Sequence, residues 1–278
     1  MNLPNDLQFA VDVSRRAGAL ALSHYGRVDR LTKSHAATTD EAVTVADRKV
    51  QQLIVAALRE HAPADAVIGE EDATGSGITN TVADPDARCW VIDPIDGTNN
   101  FIAGTHNWAV CVGLLHAGRP VLGVVYDPVR DELFAGAQGH GATLNGRPTA
   151  ARPDAMSAST MLMLTSNLIG HGRSGAPRWA ELWLGQTEYK VRMLGSAALE
   201  AVQVAAGRAH AAITVNGKLW DAVAPCAIVL AAGGRVTTLA GEDRFPYDLA
   251  GYTGAKVPFV AAAPLAAPAV LEHLRSNP

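Results

Sequence analysis

Apolar residues recur at helical spacing from Leu7 through Ala10, Val11, Ser14, Ala17, Gly18, Ala21 and Leu22 to Tyr25, which predicts an opening helix with one buried face. Asn5 or Asp6 can cap its start and Gly26 can end it. A polar stretch over 32–41, carrying Lys33, comes next. The second helical stripe buries Val50, Leu53, Ile54, Ala57 and Leu58, with Thr44 as its cap. Val67-Ile68-Gly69 reads as a short strand ending in Glu70 and Glu71. Residues 72–88, rich in Gly, Thr, Asp and Pro, read as a surface loop. Cys89-Trp90-Val91-Ile92 forms another strand, after which Asp93-Pro94 is expected to turn the chain.

The period then switches to two. Strands are predicted over 109–115, 121–126 and 132–135, separated by Gly-Arg-Pro and Asp-Pro breaks, so an antiparallel meander is expected. Asn145-Gly146 marks a further tight turn. From there strands and helices alternate: strand 161–164, helix 179–184, strand 189–193, helix 196–206, strand 211–215, helix 221–232 and strand 235–238. A strand over 259–262 and a helix over 267–274 close the chain. With no internal repeat, low-complexity tract or obvious linker, one unit over 1–278 is the simplest reading.

Composition narrows the class. The 278 residues are 48% hydrophobic, which fits a globular soluble protein and excludes a disordered one. A formal charge of −4 offers no general attraction to nucleic acid or an anionic membrane, so neither partner is expected. Any anionic substrate must be drawn by a local cation. Cys89, Cys111 and Cys226 are odd in number and widely spaced, which fits buried thiols in a reducing cytoplasm. The N-terminus lacks a basic segment followed by an apolar core, and no apolar run is long enough to span a bilayer.

The densest chemistry lies in Trp90-Val-Ile-Asp-Pro-Ile-Asp-Gly-Thr98. Asp93 and Asp96 follow a buried strand, and Gly97 and Thr98 then leave backbone N–H groups and a hydroxyl free to face an anion. Carboxylates beside an anion cradle need a positive ion between them. A hard divalent cation with oxygen ligands suits the acids, and phosphate suits the cradle.

Together with Val43-Thr44-Val45-Ala46-Asp47, Val67-Ile68-Gly69-Glu70-Glu71 and Leu219-Trp220-Asp221-Ala222, this signature resembles the inositol monophosphatase family of Mg²⁺-dependent, lithium-sensitive phosphatases. The resemblance runs from about the first helix to the last. It implies an α+β fold, a five-layered αβαβα sandwich, with a metal-ligand half roughly over 1–150 and a substrate-capping half roughly over 151–278. It also implies two to three Mg²⁺ ions. Glu70, Asp93 and the Ile95 carbonyl would hold the first; Asp93, Asp96 and Asp221 the second; a weaker third would sit near Glu70. Thr98 and Asp47 match the pair that orients the attacking water, so Asp47, Thr98 and Glu70 form the expected catalytic set. Gly97, Thr98, Asp96, Asp221, Gly195, Ser196, Ala197 and Thr214 are the expected substrate contacts. Lys33 matches a family lysine near the outer metal, although the segment between it and Asp47 is one residue longer here.

One position departs from the family pattern. Inositol-selective members carry a glutamate seven residues before the Trp-Asp aspartate, and this chain has Thr214 there. A shorter, neutral side chain cannot reproduce charge-assisted hydrogen bonds to a polyol. The expected activity is therefore hydrolysis of a small phosphate monoester by metal-activated water, with inositol 1-phosphate or a related polyol or sugar phosphate as substrate. A histidinol-phosphate phosphatase and a non-catalytic regulatory binding protein on the same fold are the alternatives. A cytoplasmic homodimer is expected.

Overall fold

In the computed structural model, which describes residues 1–26, 45–71, 84, 86–166, 168, 176–185, 188–250 and 252–278, the opening apolar stripe forms helix α1 (Leu3–His24). It begins earlier than its apolar spacing suggests. Pro4 sits in the first turn, where a missing N–H costs nothing, and Asn2 Oδ1 accepts from Asn5 N at 3.3 Å. Helix α2 (Val45–His61) packs beside α1, and the pair covers one face of a seven-stranded sheet. Lys33, Thr44 and the residues numbered 72–83 lie outside the described residues.

That sheet runs in chain order through β1 (Ala66–Gly69), β2 (Arg88–Asp96), β3 (Ala109–His116), β4 (Arg119–Asp127), β5 (Glu132–Ala137), β6 (Gly141–Leu144) and β7 (Arg147–Thr149). Only β1–β2 is parallel. The expected meander forms because its tight turns carry residues at positive φ, Ala117-Gly118 at 49° and 68° and Asn145-Gly146 at 51° and 74°. Asp93-Pro94 does not turn the chain as expected. Strand β2 continues through it to Asp96, and the pairing with β3 shifts between Asp93 and Asp96. A bulge needs no ladder N–H, so proline fits it, and the one extra residue re-aims the aspartates at the strand's end. Short helix α3 (Thr98–Ala103) follows at once.

The second sheet holds β8 (Met161–Leu164), β9 (Lys190–Arg192), β10 (Ala211–Thr214), β11 (Arg235–Thr237) and β12 (Phe259–Ala262), in the order β11-β12-β10-β8-β9. Helices α4 (Arg178–Gly185), α5 (Ala197–Ala205), α6 (Leu219–Ala231) and α7 (Ala267–Ser276) complete the set among the described residues. Apolar side chains of α5 and α6 share one core with both sheets. α4 and α7 pack on the outer face of the second sheet through Trp179, Trp183, Val270 and Leu274. The layers are thus α1–α2, sheet, α5–α6, sheet, α4–α7, the five-layered sandwich the sequence led us to expect. No helix among the described residues is long and apolar enough to cross a membrane.

Helix α6 lies unusually close to the large sheet because three glycines clear its path. Gly113, Gly123 and Gly136 pair across β3, β4 and β5. A Cβ on Gly123 would lie 2.1 Å from the Ala224 carbonyl oxygen, and one on Gly113 would lie 2.8 Å from Ala224 N. Glycine inside a strand weakens it, and here the return is backbone-to-helix contact. The seat directs the first turn of α6, with Asp221, toward the end of β2.

We expect Gly123→Ala to destabilise the protein by about 3 kcal/mol, since the obstructing atoms are backbone and cannot swing away. Gly185→Ala, with nothing within 4 Å, serves as control and should stay within about 0.5 kcal/mol of the parent. Urea unfolding of the two variants checks the contrast. Equal stabilities would show that α6 has room to lift.

Candidate active site

Four acids meet where β1 and β2 end and α6 begins. Carboxylate oxygens of Asp93, Asp96 and Asp221 lie within 4.8 Å of one another. Glu70, just past β1, is in hydrogen-bonding contact with the Asp93 carboxyl group. The parallel β1–β2 register aligns Gly69 with Ile92, and Glu70 N donates to the Ile92 carbonyl at 3.2 Å, so both acid-bearing strand ends leave the sheet together. Asp221 comes from the opposite layer. It occupies the first turn of α6 and its Oδ2 accepts from Lys218 N at 2.6 Å. A helix-start acid and a cluster member are therefore one residue.

Asp96 accepts three hydrogen bonds. Ser196 Oγ donates to its Oδ2, Ala198 N donates to the same oxygen at 2.8 Å, and Ala197 N reaches Oδ1 at 3.2 Å. The free N–H groups at the start of α5 thus terminate on the carboxylate, as the helix dipole favours. Ser196 Oγ also accepts from Leu199 N at 3.2 Å as the helix cap. Asp93 Oδ1 accepts from Ile95 N at 3.0 Å, folding the bulge around itself.

Thr98 begins α3, and its Oγ1 donates to the Ile95 carbonyl at 3.0 Å, with Asp47 Oδ1 farther off at 3.5 Å. Asp47 is buried in the first turn of α2. Gly97 precedes Thr98 at φ 91°, and a Cβ there would meet the Asn107 carbonyl oxygen at 2.8 Å and the Gly195 carbonyl oxygen at 3.2 Å. Only glycine lets these three backbone segments close together. Glu71 is buried, with its N–H donating to Gln51 Oε1 at 2.9 Å. Thr214 is buried at the end of β10. Its methyl lies 2.7 Å from the position a Gly217 Cβ would take, which is 3.3 Å from Asp221 Cβ. Its hydroxyl has no hydrogen-bond partner among the described residues.

Burial sets the electrostatics. It raises the Glu70 carboxyl well above its usual range, and the charges of Asp221, Glu71 and Asp47 add to the rise. Asp93 is raised in the same way, first by burial and then by Glu70, Asp96 and Asp221. Burial and then Asp221 push Asp96 up to about 7, against the opposing pull of Ser196 and the α5 amides. Acids that cannot all ionise together, presenting only oxygen donors, fit a hard divalent cation. Glu70, Asp93, Asp96, Asp221 and the Ile95 carbonyl are the groups in place to hold one.

Two residues that motif reading passed over belong here. Glu200, an acid inside the apolar run of α5, is buried, and burial pushes it up to about 8. Asn100, two residues beyond Thr98, donates from Nδ2 to the Asn107 and Leu194 carbonyls at 2.7 and 2.8 Å. An acid in an apolar helical face was the available signal for Glu200. Asn100 had none beyond its nearness to the signature.

Residues 2–277 match the model of the inositol monophosphatase family. A Thermotoga maritima protein named fructose-1,6-bisphosphatase/inositol-1-monophosphatase is 32% identical over 237 residues, covering 85% of this chain and 86% of that one. The Nus factor SuhB of Pseudomonas aeruginosa is 35% identical over 243 residues, covering 86% of this chain and 87% of its own. The solved structure of the Thermotoga maritima IMPase superposes with a TM-score of 0.81 at 30% identity, over 98% of this chain and 97% of that one. The chain belongs to the inositol monophosphatase family.

The raised acids make a stability prediction. A carboxyl with a higher pKa in the fold than in the unfolded chain supports the fold while protonated. For Asp96 that support is full below its ordinary 3.8 and is lost as the pH climbs to about 7. A cation at the cluster removes the penalty. Mg²⁺ should therefore raise the melting temperature more at about pH 7.5 than at about pH 5. Calorimetry with Mg²⁺ and with chelator reads this directly; a Mg²⁺ effect independent of pH would place the cation elsewhere.

Proposed function

We propose that this member of the inositol monophosphatase family is a Mg²⁺-dependent phosphatase of small phosphate monoesters, with inositol 1-phosphate or a related polyol or sugar phosphate as substrate. The observation that carries the reading is the convergence of Asp93, Asp96 and Asp221 within 4.8 Å, with Glu70 against Asp93, beside the Gly97–Thr98 turn. When bound, Mg²⁺ neutralises charge on the phosphoryl oxygens, acidifies a water molecule and stabilises the leaving alkoxide. In this reading Glu70, Asp93 and the Ile95 carbonyl form one side of the cation site and Asp96 and Asp221 the other, with Asp93 shared.

The protein's own groups do the positioning. The Thr98 hydroxyl, between the Ile95 carbonyl and Asp47, orients the attacking water and passes its proton toward the Asp47 carboxylate. Gly97 and Thr98 offer backbone N–H groups to the phosphate oxygens. Asp96, restrained by three donors from Ser196 and the α5 amides, holds its place without moving as charge develops. The Gly195–Ala197 backbone meets the rest of the substrate. Beside Asp221, the buried Thr214 hydroxyl is free to take a substrate hydroxyl, or to do without one.

A second reading, a regulatory binding protein, draws on the 35% identical relative named a Nus factor. The gathered acids favour catalysis, because nothing in binding alone requires four carboxylates to be drawn together with two of them, Asp93 and Asp96, buried.

Hydrolysis should require Mg²⁺, stop on chelation and be inhibited by lithium. Asp93→Asn should lower kcat about a hundredfold or more and, by removing one repelling charge, leave the chelated protein no less stable. A panel of phosphate monoesters assayed with Mg²⁺ tests both points. Turnover in metal-free buffer, or an Asp93→Asn enzyme at parental kcat, would remove the mechanism.

Specificity should be loose. A buried glutamate rejects analogues that leave it unpaired, whereas a threonine imposes little penalty. The parent should thus show similar kcat/KM for inositol 1-phosphate and glycerol 2-phosphate, and Thr214→Glu should shift preference toward the inositol ester. A parent selecting inositol 1-phosphate by orders of magnitude would mean other residues read the ring.

A further inference from the structure

Asp96 and the start of α5 are held by a ring of hydrogen bonds that neither the acids nor the signature turn explains. From Asp96 the chain passes through Gly97 into α3, where Asn100 Nδ2 donates to the Leu194 carbonyl at 2.8 Å. Leu194 N and Gly195 N donate in turn to Glu200 Oε1 at 2.7 and 3.1 Å. Glu200 lies on α5, whose first amides and capping Ser196 end on Asp96. The ring closes. It joins the end of β2 in the large sheet to the segment between β9 and α5 beside the small one.

The fit around the Leu194–Gly195 segment is tight on both sides. Gly195 sits at φ 78°, and a Cβ there would lie 2.9 Å from Asn100 Nδ2. Asn100 is pinned by its second bond, to the Asn107 carbonyl. Asn107 is in turn fixed by Arg130, which donates to Asn107 Oδ1 at 2.8 Å and to the His106 carbonyl at 3.0 Å. On the other side Glu200 is 1% exposed. Helical side chains lean toward the N-terminus, so a glutamate one turn into α5 reaches back over the start of its own helix. It thereby satisfies two N–H groups that precede that helix. Its second oxygen has no hydrogen-bond partner among the described residues. Burying such a group costs about 1–3 kcal/mol. A surface helix start capped by water would avoid that cost, so the contact serves the position of the loop more than the stability of α5.

From this geometry we infer that Glu200 and Asn100 are positioning residues. They clamp the Leu194–Gly195 segment from its N–H and C=O sides, and so set both the Gly195–Ala197 backbone and the Asp96 carboxylate. The inference rests on the hydrolytic reading of the site, and it deepens that reading. Neither side chain is assigned a contact with the cation or the phosphate. Their effect passes through Asp96 and the loop, where a displacement near 1 Å is enough to slow a reaction about a hundredfold.

The test compares Glu200→Gln, Glu200→Ala, Asn100→Ala and the double alanine variant, reading turnover and amide hydrogen exchange on the full chain with Mg²⁺. Glutamine keeps an oxygen for the two N–H groups, so it should stay within about threefold of the parental kcat/KM. Glu200→Ala should lose tenfold or more, mainly in kcat, with exchange at Leu194 and Gly195 accelerated at least tenfold. Asn100→Ala should show the same pattern, and the double variant should lose less than the product of the single losses, because both grips act on one segment. A Glu200→Ala enzyme with parental kcat overturns the inference. So does a Glu200→Gln enzyme as slow as Glu200→Ala, which would make the charge the active element. The exchange arm is independent of turnover. If the parent hydrolyses no phosphate ester, the hydrolytic reading fails, while protection of the two amides lost in both alanine variants and kept in Glu200→Gln still supports the clamp. Unchanged protection overturns it.

Discussion

The close seat of α6 on the large sheet is the constraint from which the site follows. Gly113, Gly123 and Gly136 leave a bare strip across three strands, and the helix backbone rests on it. Side chains of ordinary size would hold a helix roughly 10 Å from the sheet. At that separation Asp221 would stand clear of Asp93 and Asp96. The strip therefore does more than pack a core. It brings acids from two layers of a sandwich into one cluster.

Gathering acids works against the fold that gathers them. Burial raises Glu70, Asp93 and Asp96, and each charge raises the others. The protein offsets part of this with fixed donors: Ile95 N on Asp93, the start of α5 on Asp96, and Lys218 N on Asp221. These are backbone groups at a bulge and at two helix starts, where N–H groups are unpaired in any case. What the donors leave uncompensated is the free energy available to a cation. Stability and function thus draw on the same groups with opposite sign, as is common at sites built for binding.

The fold by itself leaves the chemistry of the substrate open. One relative carries the name of two phosphatase activities and another that of a Nus factor, at similar identity and over similar shares of the chain. Such divergence is expected when a shared scaffold supports the same acids while the groups around the substrate vary. In the proposed reading those groups are the Gly195–Ala197 backbone and Thr214. The backbone is steadied by Asn100 and Glu200, whereas Thr214 is neutral and hydrogen-bonds to nothing described.

Local pattern was enough to determine the elements. The meander, the alternation after residue 160 and the acid-rich signature were legible because periods of 2 and 3.6, turn residues and motif spacing are properties of neighbouring residues. The candidate acid set was legible through the family resemblance, which joined Glu70 and Asp221 to the Asp93–Asp96 signature. The tertiary structure decided what depends on residues far apart in the chain. Proline at position 94 looked like a turn, but pairing with β3 absorbs it in a bulge. The three glycines find their use only in a helix laid across them, which meets the last of them at Ile228, more than ninety residues along the chain. Glu200 and Asn100, a hundred positions earlier, grip the same segment from opposite sides. Spacing along a chain carries no record of which side chains converge across two sheets, because packing fixes that and a sequence read one window at a time does not.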